Sequence, residues 1–378
     1  MTIFKPLVGD DRVSTKTLLH EAIPITGTIV SGTYGVFPND TNVQNFTHGM
    51  FQSVYDYPYL SSSANHIFDI SVGTAATGLA TTVQTAKKDN IYNQMAQVLS
   101  GYDQSGEIQK FDEDGDITAG GTTIDNAIFL SFSRLLVKDE IKKGSFQLEL
   151  GVAESFSAPM LNTRIKIVDQ GAATSYRVNS PAGEYGILYA TASSPTAQLL
   201  DPASAHKTTL SDGNTYWRAG LIYYQAGVAV LTSSVLSTTG AHGGGGYIVG
   251  LPATGKKINF DSSGTTLTGS IVGQQISASA DFFRHRIYNL QFNNTIELNS
   301  TVYFCRVKHN EFNYSANPTY LSGSQIRVKN QATDIPISYI TSIGLYSADN
   351  QLLAVGKFSE PIRKDSNIEL TFRARLDY

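Results

Sequence analysis

The sequence predicts a mainly β protein with a few short helices (an α+β minority), arranged as a multi-segment β-sandwich-like core with an inserted middle domain. Three observations predict it. Near the C-terminus Ile368, Leu370, Phe372, Ala374, Leu376 and Tyr378 alternate with Glu369, Thr371, Arg373, Arg375 and Asp377, a period of two that puts one apolar and one charged face on a single strand. Polar turn residues punctuate such runs, as at Ser347-Ala348-Asp349-Asn350 between the β-rich segments of Tyr339 to Phe358, which reads as a hairpin. Only Ala86 to Ser100 shows a clear helical stripe, with Ile91, Met95, Val98 and Leu99 on one face and Gly101 as terminator.

Taken in order, residues 1–50 read as an extended N-terminal arm interrupted by Pro6, Pro24 and Pro38. Residues 51–150 form the first part of the core. There His66 and Asp69 belong to an alternating strand, and a strict period of two places them on opposite faces, which argues against their pairing. The segment Gly101 to Ile117 carries turn signals at Asp103-Gln104-Ser105-Gly106 and Asp114-Gly115 and reads as a hairpin. The first part of Asn126 to Leu150, before Lys138, is apolar enough to be a strand buried on both faces, Lys138 to Lys143 reads as a short charged helical turn, and Phe146, Leu148 and Leu150 alternate again. Residues 151–290 read as an inserted β-rich domain with Gly-rich loops. Within it Gly220 and Gly227 are expected to break Trp217 to Leu231 into short buried strands. Residues 291–378 form a C-terminal β domain with the hairpin, whose pairing Pro361 should end because it has no amide to donate.

Composition narrows the chemistry. Charged residues make up 16% of the chain, against about 25% in ordinary soluble domains, while 20 Tyr and 18 Phe are present. A surface poor in charge and rich in rings suits burial against other subunits. A net charge of −4 gives no electrostatic reason to expect nucleic acid. The pairs Lys87-Lys88 and Lys142-Lys143, each near acidic residues, read as solvated surface. The single Cys305 excludes an internal disulfide and reads as a small buried hydrophobe. The N-terminus lacks the features of a signal peptide, and no apolar run of about 20 residues is present to cross a membrane as a helix.

No catalytic, cofactor or metal residue is assigned. Asp112-Glu113-Asp114-Gly115-Asp116 resembles a calcium loop in its carboxylates, but its glycine falls at position 4 rather than 6, so it reads as a turn of solvated carboxylates, with opportunistic calcium binding as the alternative. Gly250 to Lys257 has the Walker glycine spacing but puts Lys257 where Ser or Thr belongs, and no helix pattern follows. Gly-x-Ser-x-Gly is absent. Arg284-His285-Arg286 sits among Phe282, Phe283, Ile287 and Tyr288 and reads as mixed surface and core. The loop Asn310 to Pro318 mixes aromatic and amide residues and is either a contact surface or a loop pinned to its own core. With the hairpin it supplies the interface candidates Phe312, Asn313, Tyr314, Asn317, Tyr346, Asp349 and Asn350.

The string Ile343-Gly-Leu-Tyr-Ser-Ala-Asp-Asn-Gln-Leu-Leu-Ala-Val-Gly-Lys357 resembles a hairpin recurring near attachment domains of tail-fibre and baseplate proteins in tailed bacteriophages. Together with Ile91 to Leu99, Arg134 to Phe146 and His309 to Pro318, the chain resembles virion structural proteins of contractile-tailed bacteriophages, particularly those of marine cyanobacteria. The likeness covers about 54–150 and 295–378. It implies a tail-associated structural role in the virion without fixing the place. With the fibre-like hairpin, the charge-poor ring-rich composition and the lack of a catalytic constellation, the expectation is a non-enzymatic part made in the host cytoplasm and placed at the baseplate or where fibres attach. The implied partners are other virion structural proteins and further copies of the chain in a symmetric assembly, with no nucleic acid and no membrane. The alternatives are a receptor- or carbohydrate-binding module and, below it, a polysaccharide depolymerase.

Overall fold

The computed structural model describes residues 4–26, 41–75, 80, 82–116, 122–151, 164–192, 206–233, 275–284, 287–315, 321–322, 325–326, 331 and 333–378. Gly243 to Gly246, the Walker-like Gly250 to Lys257, and His285, Arg286 and Asn317 lie outside them. The strands are β1 (Arg12–Thr26), β2 (Val43–Asn45), β3 (Gln52–Tyr55), β4 (His66–Thr74), β5 (Asn126–Phe132), β6 (Glu140–Ile141), β7 (Gln147–Gly151), β8 (Arg164–Val168), β9 (Arg177–Ser180) and β10 (Gly183–Ala192). They continue as β11 (Lys207–Thr209), β12 (Thr215–Tyr223), β13 (Val228–Thr232), β14 (Ile287–Val307), β15 (Leu321–Ser322), β16 (Gln325–Ile326), β17 (Ile337–Tyr346), β18 (Leu352–Asp365) and β19 (Leu370–Asp377). Helices among the described residues are α1 (Val83–Leu99), the single turn α2 (Arg134–Val137) and α3 (Ile276–Arg284), with a 3-10 turn at Gly9–Asp11. The mainly β class is what the sequence predicts.

The chain divides into two compact units, His20–Ile296 and a second made of residues 1–19 with Glu297–Tyr378. In the larger unit the hydrogen-bonded order is β14-β7-β8-β10-β12-β13-β5-β4-β3-β2. Neighbours within it pair antiparallel, as in β7 with β8 and β13 with β5. This differs from the four segments read from the sequence. Strands of the middle stretch, β8 to β13, lie between β7 and β5 of the preceding one, so they extend a shared sheet instead of closing a core of their own. They do so because β5, β12 and β13 are apolar on both faces and need cover from either side.

Helix α1 starts at Thr82, whose hydroxyl accepts the Thr85 amide at 3.1 Å. It buries Lys88, Ile91, Tyr92, Ala96 and Leu99, a stripe rotated from the expected one, so that Val98 faces solvent. The rotation brings the Tyr92 backbone against Gly73 of β4, where a Cβ would lie 2.9 Å from the Tyr92 nitrogen. Tyr92 then donates to the Ile124 carbonyl at 2.6 Å and packs edge-on against Phe111 at 5.3 Å. Helix α3, which also packs on β4, is an element the sequence reading missed. Its signal is present, because Ile276, Ala280 and Phe283 recur at i, i+4 and i+7 and all are buried.

Four further expectations are corrected. Lys138–Lys143 is not helical, since Lys138 at φ +60° ends α2 and Glu140–Ile141 pairs with β14 instead. Gly220 does not break β12 but sits inside it. Pro361 does not end the hairpin, because β18 pairs on to Asp365. Ile340↔Ile362 is followed by Ser342↔Lys357, and the residues between, Pro361 among them, form a bulge that needs no proline amide. Cys305 is half-buried, not core.

Residues 1–19 and 297–378 make a different kind of unit. None of its described residues joins the main hydrophobic core cluster, and its buried hydrophobics are Val302, Val307 and Phe372. The strands are long nonetheless. Strand β19 pairs along β14 from Val307↔Leu370 to Ser300↔Asp377 and keeps the predicted alternation, with Phe372 buried and Leu370, Ala374 and Leu376 half-buried. The hairpin of β17 and β18 is a separate two-stranded sheet.

Candidate functional site

In the larger unit three clusters of titratable groups could carry chemistry. The first contradicts the opposite-faces argument, for His66 Nε2 lies 2.8 Å from Asp69 Oδ1. The register explains it: Val54↔Phe68 is followed by Tyr55↔His66, so Ile67 is an extra residue that reverses the parity of the strand. The Ser53 hydroxyl donates to the same carboxylate at 2.5 Å. A nucleophilic triad needs the imidazole between serine and carboxylate, whereas here the carboxylate takes both bonds. The pairing acts on stability instead. The hydrogen bond to Asp69 raises the His66 pKa above its ordinary 6.5 against the opposing effect of burial. The stabilisation is therefore complete below about pH 6.5 and is lost as pH rises through the higher folded value. We expect His66→Gln to lower the melting temperature at pH 6 more than at pH 8.5, by the equivalent of less than about 1 kcal/mol at this half-exposed site.

The second cluster corrects the reading of Asp112 to Asp116 as solvated. Asp112 and Glu113 are buried, and Asp112, Asp114 and Asp116 offer carboxylate oxygens within 4.8 Å of one another. The Asp116 amide donates to Asp112 Oδ2 at 3.0 Å. Arg218 Nη1 stands 3.6 Å from Asp114 Oδ2, and Arg177 donates to the Asp114 carbonyl at 3.4 Å. Glu113 pairs with His206 Nδ1 at 2.5 Å; burial raises its pKa, and His206 and Arg218 oppose the rise. Arg218 facing Asp114 and His206 facing Glu113 tie the 112–116 turn to β12 and to the residue before β11, and the Arg177 hydrogen bond ties it to β9.

The third cluster surrounds Arg284, which is fully buried. Its Nε donates to Gln52 Oε1 at 3.1 Å and its Nη2 to Asp281 Oδ1 at 3.1 Å, while Gln52 Nε2 donates to Asp281 at 2.6 Å. These groups fasten α3 to β3 and are not set out for an anion. The lysine pairs are also less solvated than expected. Lys88 is fully buried, and desolvation lowers its pKa to about 8. Lys143 pairs with Glu184 at 2.5 Å over the rings of Tyr176 and Tyr224.

The sequence-chosen interface residues belong to the smaller unit. Phe312 adopts φ +53°, a left-handed conformation that costs a bulky residue roughly 1–3 kcal/mol and persists only where surroundings enforce it. Here the Ser338 hydroxyl donates to the Phe312 carbonyl at 2.5 Å. Lys364, fully buried on β18, donates to the His309 carbonyl at 3.1 Å, Asn313 Oδ1 at 2.6 Å and the Asp365 carbonyl at 2.7 Å. Burial lowers the lysine pKa, while the charges of Asp365, Glu311 and Glu369 oppose that change. Phe312 and Asn313 are thus half-buried in a pinned loop, and Tyr314 projects from it. Lys364→Met removes all three donations, and amide exchange across 309–313 should quicken roughly tenfold or more, the equivalent of losing about 1.5 kcal/mol from a charged hydrogen bond.

A strap from Phe4 to Asp11 crosses the same unit. Lys5 pairs with Glu311 at 2.5 Å, Asp11 with Arg306 at 2.9 Å, and the Phe4 ring meets Tyr346 edge-on at 4.7 Å. Two elements expected to meet other chains therefore touch each other in this one. At the hairpin tip Asp349 and Asn350 are exposed. Asn350 at φ +63° closes a turn in which the Ser347 amide donates to the Gln351 carbonyl at 2.9 Å. No helix among the described residues is long and apolar enough to cross a membrane. Comparison with known proteins finds no matching family model, no matching curated protein and no matching solved structure.

Proposed function

We propose that this chain is a non-enzymatic structural component of a phage tail, at the baseplate or where fibres attach, working through protein–protein interfaces. The observation that carries the reading is the contrast between the two units. The larger has an extensive core, whereas the smaller extends long strands around Val302, Val307 and Phe372. A unit of that length with so few apolar side chains buried among its described residues gains too little from their burial to offset the entropy of ordering its backbone. Contacts beyond the chain would supply the difference. The C-terminal resemblance to tail-fibre and baseplate hairpins falls on this same unit. Partners are other virion structural proteins and copies of the chain.

The test is to locate the chain in purified particles, by peptide identification in isolated tails and by fitting it into a density map of the virion. The expected result is density for the smaller unit packed against neighbouring chains. Absence from tails, or cleavage of capsular polysaccharide that is lost when one or two carboxylates are replaced, would overturn the proposal.

A further inference from the structure

Strand β19 is an open edge of its sheet. Among the described strands it pairs only with β14, and that ladder runs from Val307↔Leu370 to Ser300↔Asp377 without a shift of register. Regular edges invite strand addition, and proteins guard them with bulges and prolines. The hairpin carries both, at Ile340/Ser342, Leu345/Tyr346 and Pro361. The 8 residues of β19 carry neither. The ladder also fixes which main-chain groups β14 leaves unused. Asn299 and Tyr378 exchange both amide-to-carbonyl bonds, at 3.0 and 2.8 Å. Alternation from that pair points the amides and carbonyls of Leu370, Phe372, Ala374 and Leu376 at β14, and those of Thr371, Arg373, Arg375 and Asp377 outward.

A strand added here has to suit two faces. On one, Phe372 is buried while Ile368, Leu370, Ala374 and Leu376 are half-buried; on the other, Glu369, Thr371, Arg373, Arg375 and Asp377 are exposed. Strand β19 meets both demands itself when it runs antiparallel to a second copy with Phe372 at the centre. Leu370 then lies opposite Ala374 of the second copy and Ile368 opposite Leu376, so apolar side chains meet apolar ones. Glu369 lies opposite Arg375 and Thr371 opposite Arg373, so no like charges face each other. The main-chain parity agrees. Two-fold pairing keeps every side chain on its own face, so each residue must meet one an even number of positions away. The pairs that bond are then Thr371 with Arg373 and Glu369 with Arg375, which are the outward-facing ones, and they exchange about eight main-chain bonds. Centring the pairing on Arg373, Ala374 or Arg375 would set arginine against arginine, and centring it on Thr371 shortens the overlap.

We infer that two copies of this chain join at the outer edge of β19, by antiparallel pairing of β19 with β19 about Phe372. The inference rests on the proposed structural role and gives it a specific contact. Main-chain hydrogen bonds supply the affinity in strand addition, so a broad apolar surface is not required. The half-buried side chains of Ile368, Leu370 and Leu376 gain a neighbour on the side that β14 leaves open. Arg375 and Glu369 have exposed partners within the chain, Asp377 at 2.7 Å and His309 at 3.3 Å. Exchanging such surface pairs for pairs across the two-fold costs little.

Light scattering on the full chain, in a dilution series from about 100 micromolar, tests this, because it reads any dissociation constant in the micromolar range. The expected mass at the top of the series is twice 40.9 kDa. Arg373→Pro removes an outward amide that β14 does not use, so the chain should still melt as wild type while the dimer weakens about 100-fold. Arg375→Glu sets a carboxylate against Glu369 of the second copy and should weaken the dimer about tenfold. Adding Glu369→Arg to that variant puts opposite charges back in register and should restore the affinity, a recovery that a misfolded variant cannot give. The amides of Thr371, Arg373 and Arg375 should exchange more slowly as concentration rises. A monomer throughout the series overturns the inference. So does an oligomer indifferent to Arg373→Pro and Arg375→Glu, or a double variant no tighter than Arg375→Glu alone. None of these results touches the tail assignment, which stands or falls on finding the chain in particles.

Discussion

Replacing Gly220 by alanine should destabilise the larger unit by roughly 4 kcal/mol or more, the range reserved for changes that force backbone apart. Gly220 lies mid-strand in β12, paired on one side with Leu188 and on the other with Leu231. At its φ of +152° a Cβ would fall 2.0 Å from the Val230 carbonyl oxygen and 2.9 Å from the Leu231 Cα. No side chain can yield there, so β12 and β13 must separate. These strands sit between β10 and β5 in the sheet, and both are buried at this point. Urea titration followed by tyrosine fluorescence and far-ultraviolet circular dichroism would read the loss. A midpoint within a few tenths molar of wild type would show that β12 relaxes locally.

Asp169→Asn should have the next largest effect, on the order of 2–3 kcal/mol at neutral pH, because both carboxylate oxygens accept bonds that an amide cannot all take. Oδ2 accepts the Gly144 amide at 2.7 Å and the Tyr224 hydroxyl at 3.2 Å, and Oδ1 accepts the Phe146 amide at 3.0 Å. An asparagine must point its NH2 at one of these donors. Burial nevertheless raises the Asp169 pKa from 3.8 to about 6 despite those bonds. The native state therefore holds this proton longer than the unfolded chain. Its contribution to stability falls as pH rises from about 4 to about 6 and is level above. The variant lacks that slope. The stability difference between wild type and Asp169→Asn should accordingly be larger at pH 4.5 than at pH 8, measured by urea denaturation at both; an equal or reversed difference would show that Asp169 is ionised throughout.

Much of the β architecture is legible in local pattern. The alternation of residues 368 to 378, the Ser347–Asn350 turn and the helix in 83–99 depend on neighbours within a few positions, and the structure places each of them. What local pattern misreads depends on single extra residues. Ile67 as a bulge turns His66 toward Asp69, and the bulge at Pro361 lets pairing continue past a proline. A period-two argument has no means of detecting where the period slips. The stripe on α1 is misplaced by hydropathy for a related reason. Lys88 and Val98 exchange the environments that hydropathy assigns them, because Gly73 sets how α1 lies on β4.

The interface candidates divide along the same line. That Phe312, Asn313, Tyr314, Tyr346, Asp349 and Asn350 sit in a ring-rich, charge-poor loop and hairpin is written in residue order. That Lys364 would reach back from β18 to hold Phe312 in a left-handed turn is not, since donor and acceptors stand more than fifty positions apart.

From composition and periodicity alone come the β class, the hairpin, the charge-poor surface and the lack of a recognisable catalytic motif, because each is a property of nearest neighbours or of totals. Tertiary structure decided which strands share a sheet, which ionisable groups are paired, and that one unit holds the core while the other, among its described residues, buries few apolar side chains. Those outcomes follow from burial, and burial is set by residues that meet only once the chain has folded.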